Sequence, residues 1–148
     1  MAAQEKFFSV MPKKLSDRKK LTRQEQRDLD IEITFIEGVI RRDPNYVEAL
    51  QVLGDDYTKR QKFGEGLRID EQLAQLRPDD PLVQYNLACS YSLTSQFELA
   101  VTTLERAIKA GYSDFKWLAK DPDLAPLRKH PAFERIRERI RSVQVKVE

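Results

Sequence analysis

The chain has 148 residues, with 26 Lys/Arg against 24 Asp/Glu and a net charge of +2. That length suits one domain folding on its own apolar core, and one Cys with one His excludes both an internal disulfide and a zinc ligand set. No apolar run approaches the ~20 residues of a membrane span, and residues 1–10, broken by Glu5, do not form a secretory signal, so a reducing, cytoplasmic setting is expected.

Residues 1–21 carry Lys13, Lys14, Arg18, Lys19 and Lys20 with few apolar residues, and read as a basic, disordered tail. Thr22-Arg23-Gln24-Glu25 is a capping box, with Thr22 covering free backbone donors and Glu25 reaching back. It opens a helix to about Arg42, with Leu29, Ile33, Ile36 and Ile40 on one stripe and Phe35 and Val39 beside it. Asp43-Pro44 stops this helix, because proline disfavours the helical conformation in the residue before it. Asn45 is expected to cap the next helix, running to about Arg60 with Leu50, Leu53 and Tyr57 inward. A turn is expected at Lys62-Phe63-Gly64, then a helix over about 64–76 with Leu67, Leu73 and Leu76 inward. Asp80 is the expected cap of a helix over about 81–93, and Pro81 takes its first position, where a missing N–H does no harm. Tyr85, Leu87, Ala88 and Tyr91 line its inner side. The helix over about 97–110 carries Ala100, Leu104, Ala107 and Ile108 and ends at Gly111 in a left-handed cap.

Ser113 or Asp114 starts a short helix with Trp117 and Leu118, and Asp121-Pro122 interrupts it. A helical turn holds Leu124 and Leu127, and Pro131 opens a last helix with Phe133, Ile136, Ile140 and Val143 inward. Arg135, Arg137, Arg139 and Arg141 point mostly outward, interleaved with Glu134 and Glu138. No strand-like alternation of any length occurs, so the fold class is all-α.

Two stretches match at a spacing of 34 residues: Pro44 returns as Pro78, Leu53 as Leu87, Gly54 as Ala88, Tyr57 as Tyr91, Phe63 as Phe97 and Gly66 as Ala100. A helix pair of that length cannot bury its apolar face alone and must stack on neighbours. The pattern Leu50-x2-Leu53-Gly54-x2-Tyr57, with Pro78, and then Leu87-Ala88-x2-Tyr91 with Ala100-x3-Leu104, resembles the tetratricopeptide repeat. The resemblance implies a right-handed superhelix of about two and a half helix–turn–helix repeats: a half repeat over 22–46, repeats over 47–80 and 81–114, and a closing segment over 115–148. There are departures at Gln84, Asp70 and Tyr112, and Asp70 stands where a bulky residue is usual.

The resemblance further implies a non-enzymatic module that holds a peptide or helix of another protein in a concave groove. The matching positions are Glu48, Gln51, Asp55, Thr58 and Lys59 in the first full repeat, and Leu82, Tyr85, Cys89, Ser92 and Leu93 in the second. Tyr85 is the expected apolar anchor. Some members of the family grip a peptide carboxylate with Lys and Asn side chains; Asn86, Lys116 and Lys120 match three of those positions, whereas Gln51 and Asp55 do not. No cofactor, metal or catalytic residue is expected. Self-association through the unpaired opening helix, and nucleic-acid binding through the basic ends, are the rival readings.

Overall fold

The computed structural model describes residues 20–147. The tail expected over 1–21 therefore lies outside the described residues, apart from Lys20 and Leu21. All regular structure among the described residues is helical. It comprises α1 (Arg23–Arg42), α2 (Val47–Lys59), α3 (Phe63–Leu76), α4 (Pro81–Leu93), α5 (Phe97–Lys109) and α6 (Phe115–Leu118). A 3-10 turn (Pro122–Leu124), α7 (Ala125–Arg128), a second 3-10 turn (Pro131–Phe133) and α8 (Glu134–Val147) complete the chain. Each of α1 to α4 packs on the next, the segment around Pro122–Arg128 packs on α4, and α8 packs on α5.

The period of 34 seen in the residues is present in the backbone bonds. At the end of α1, Asp43 N–H donates to Val39 O and Tyr46 N–H to Asp43 O; 34 residues on, Arg77 donates to Leu73 and Asp80 to Arg77. At the end of α2, Gln61 N–H donates to Thr58 O and Lys62 N–H to Tyr57 O; 34 residues on, Ser95 donates to Ser92 and Gln96 to Tyr91. Both helices thus end in a Schellman motif, which needs one left-handed residue. Gln61 and Ser95 supply it, at φ 59° and 61°. The end of α5 repeats the motif with Gly111 at φ 118°.

Two local expectations are corrected. The first turn comprises residues 60–62, not Lys62-Phe63-Gly64: Phe63 and Gly64 already belong to α3, and a Cβ on Gly64 would meet open space. Asn45 does not cap α2, because Tyr46 is the residue that precedes its first turn and makes no side-chain cap bond. The capping box at Thr22 is formed in both directions, with Thr22 Oγ1 accepting from Glu25 N–H at 3.1 Å and Glu25 Oε2 from Thr22 N–H at 2.8 Å. Asp80 caps α4 with its Oδ1 2.9 Å from Leu82 N.

Small residues set the spacing between helices. A Cβ on Gly54 would lie 3.2 Å from Asp70 Oδ1 and 3.4 Å from Ile69 Cγ2, so α2 and α3 approach closely there. Buried apolar residues form three groups. Ile33, Leu53 and Tyr57 join α1 to α2, and Leu50, Leu73 and Val83 join α2, α3 and α4. The largest group runs from Tyr85 and Ala88 through Leu104 and Ala107 to Leu118, Leu124, Leu127, Phe133 and Ile136. The closing segment is therefore part of the principal core.

Candidate functional site

Helices α2 and α4 carry the residues expected to line a groove. Glu48, in the first turn of α2, is exposed, and Gln51, Thr58 and Lys59 are half-buried. Asp55 is buried and paired with Lys59 Nζ at 2.7 Å. Thr58 Oγ1 donates to Gly54 O at 3.0 Å, within its own helix.

The matching face of α4 is covered by the chain itself. The Tyr85 hydroxyl donates to Asp121 Oδ2 at 2.5 Å, and its ring stacks on Tyr112 with centroids 4.2 Å apart. The Cys89 thiol lies 3.7 Å from the same Asp121 oxygen. Ser92 is 0% exposed and accepts from Leu127 N–H at 3.2 Å. Tyr85 thus faces the protein's own carboxylate and aromatic ring, so the expected anchor position is occupied from within. The cause is local. A continuation of the period would place one unbroken helix over 115–127, but α6 stops at Leu118 and Pro122 starts a separate 3-10 turn. The freed stretch of chain bends onto α4. Asp121 Oδ1 accepts from Asp123 N–H at 2.9 Å, and Arg128 Nη1 donates to Asp121 O at 2.7 Å and Leu118 O at 3.1 Å, which fixes the bend.

What stays accessible is the inner face of α2 and the rim of α4. Leu82, Asn86 and Leu93 are half-buried, and Lys116 and Lys120 are both exposed. Lys116 is on α6, and Lys120 is in the turn after it, so the two do not share one continuous helix.

The wall beneath this face is rich in buried carboxyl groups. Burial raises the Asp70 pKa to about 7, against the opposing pull of the Ser90 hydroxyl, which donates to it at 2.5 Å. The residue that the repeat pattern treats as a mismatch therefore has a partner in α4. Burial also raises Asp56, and a hydrogen bond to Glu32 with that group's like charge pushes it the same way. Its Oδ2 has no hydrogen-bond partner among the described residues. Burial raises Asp121, while the bonds from Tyr85, Asp123 N–H and Cys89 pull it back. The Cys89 thiol is held well above its ordinary pKa, by burial first and then by Asp121. It is therefore a poor nucleophile.

The arginines of α8 are engaged by carboxylates. Arg135 meets Glu98 at 2.9 Å and Glu105 at 3.1 Å, while Arg137 and Arg141 meet Glu134 at 3.2 and 3.0 Å. His130 caps the turn at Pro131, its Nδ1 accepting from Ala132 N–H at 3.1 Å. Among the described residues no group of three His, Cys, Asp or Glu side chains is placed to hold a metal, and no helix is long and apolar enough to cross a membrane. Sequence reasoning missed Asp121, Arg128 and Ser90. Asp121 stood out only as the residue before a proline, and nothing local linked it to Tyr85, 36 residues away.

Over 84 residues the chain is 37% identical to a protein of Arabidopsis thaliana described as chloroplastic, covering 55% of this chain and 25% of that protein. It is 32% identical over 90 residues to the Peroxisomal targeting signal receptor of Komagataella phaffii, covering 60% and 16%. With the PEX5-related protein of Mus musculus it shares 29% identity over 106 residues, covering 72% and 18%. The chain spans a quarter or less of the length of these relatives. No protein-family profile matches it.

Proposed function

We propose that this chain is a tetratricopeptide-type, non-enzymatic interaction module that holds an extended peptide of a partner protein along the inner face of α2 and the rim of α4. The repetition at 34 residues of residue types, helix ends and left-handed turn residues supports the repeat assignment. Similarity to a protein named as a receptor for a targeting signal favours a peptide as the guest.

The observation that carries this reading is the division of the wall. Tyr85, Cys89 and Ser92 are sealed, while Glu48, Gln51, Lys59 and Asn86 remain partly open beside them. Gln51 and Asn86 each offer a donor and an acceptor, the pair that a peptide main chain needs. In this reading the exposed Lys116 and Lys120 meet a carboxylate at one end of the guest.

The test is a screen of a peptide library, displayed with free C-termini, against the chain and its Gln51→Ala/Asn86→Ala variant. Enriched peptides should bind the parent at about micromolar affinity and lose about tenfold or more with the variant, whose thermal unfolding should be unchanged. Equal binding to both proteins would defeat the groove. Amidating the peptide C-terminus then tests the lysines: a further loss assigns them to the carboxylate.

A further inference from the structure

Two bonds across the seam between α1 and α2 pair a donor with an acceptor. The Tyr57 hydroxyl donates to Glu37 Oε2 at 2.8 Å, and Arg60, just past α2, donates through Nε to Asp30 Oδ1 at 2.8 Å. The contact between Glu32 and Asp56 is different, because it brings two acids together. Glu32 is exposed, whereas Asp56 is 3% exposed, and its Oδ2 accepts from no N–H or O–H among the described residues. Two carboxylates offer acceptors only, so a hydrogen bond between them requires one shared proton.

We propose that Glu32 and Asp56 form a proton-operated latch: α1 stays docked on α2 while the two carboxyls hold one proton between them, and loss of that proton releases α1 alone. The remaining charges about Asp56 are on its own helix. Lys59 favours its ionisation and Asp55 opposes it, and these two are already paired at 2.7 Å. From α3, Glu65 and Arg68 act on Tyr57, and Asp70 is bonded to Ser90.

Burial first, and then Glu32, raise the Asp56 pKa from 3.8 to about 8. The docked state therefore keeps a proton that the open state gives up. Docking is firmest below about pH 4, weakens as pH rises, and levels off above about 8. Release stays local because Ile33 is the one buried residue of α1. Opening uncovers Leu53 and Tyr57, which Ile33 packs against in the docked state.

Hydrogen exchange followed by mass spectrometry tests the latch, from about pH 5 to about pH 9, with each amide corrected for its intrinsic rate. The opening constant of α1 should exceed that of α5, rise by up to about tenfold per pH unit, and level off above about pH 8. Asp56→Asn should flatten the α1 profile. Glu32→Gln, at an exposed position that the fold does not depend on, should reduce its slope. Asp70→Asn should leave the α1 slope unchanged, because Asp70 stays buried between α3 and α4 when α1 alone opens. A flat profile in the parent, or a slope that survives Asp56→Asn or is untouched by Glu32→Gln, would overturn the proposal. Equal opening constants for α1 and α5, or an α1 slope removed by Asp70→Asn, would show unfolding of the whole chain and overturn it as well.

Discussion

Asp70 sits where α2, α3 and α4 meet, with one oxygen close to Gly54 and a hydrogen bond from Ser90. Burial raises its pKa from 3.8 to about 7. The folded protein therefore binds more protons than the unfolded chain between those values, and the contribution of Asp70 to stability is full below about pH 4 and lost as pH rises through about 7. Asp56 is shifted in the same direction. The urea midpoint is expected to be higher at pH 5 than at pH 8. Asp70→Asn should flatten that difference, by an amount on the order of 2–4 kcal/mol; an unchanged pH profile would show that Asp70 ionises freely. Backbone conformation gives a second prediction. Gln61 and Ser95 sit in the left-handed region without being glycine, so Gln61→Gly and Ser95→Gly should each stabilise the fold by about 0.5–1 kcal/mol. Gly111, at φ 118°, is the reverse case, and Gly111→Ala should destabilise by about 1 kcal/mol or more in the same denaturant titration.

Among the elements, the closing segment depends most on long-range polar bonds. Tyr85→Phe would remove the hydroxyl that Asp121 accepts from in a buried setting, at a loss of about 1–3 kcal/mol. Amides of residues 122–128 should then exchange faster than those of α5, which keeps its own packing. The helices could be read from the sequence because each carries its own signals: a capping box at Thr22, Pro81 behind Asp80, and apolar stripes at helical spacing. The small turn errors arose where those signals mislead. Gly64 looks like a turn residue yet lies inside α3, while Gln61 occupies a conformation that glycine usually fills. The site was less legible. Glu48, Gln51 and Asn86 are expected only from the resemblance to the tetratricopeptide repeat, and the covering of Tyr85, Cys89 and Ser92 depends on Asp121, Leu124 and Leu127 folding back. No local pattern encodes a contact between Tyr85 and Asp121 or between Tyr57 and Glu37, whose hydroxyl–carboxylate distance is 2.8 Å.

At the level of the whole molecule, the apolar groups are unequal. The largest joins α4, α5 and everything after Gly111, whereas α1 is tied on through the small group around Ile33, Leu53 and Tyr57. In stacked repeats stability is a sum over neighbours, so the protein should be firmest at its C-terminal half and loosest at α1. Cutting the chain after Tyr112 would remove Leu118, Leu124, Leu127, Phe133 and Ile136 and expose their partners on α4 and α5. The shortened chain should lose cooperative thermal unfolding by circular dichroism; a sharp transition would mean that the repeats stand alone.

Cys89 is the one thiol in the sequence, and it is sealed beneath Asp121 and Tyr85. A maleimide in solution can reach that sulfur only while residues 115–128 have swung clear of α4, so alkylation across a population of molecules ticks at a pace set by those excursions. The protein thus carries its own clock for the motion, with no label to engineer. A guest that bridges both walls would slow the ticking, and one that prises the wall open would quicken it.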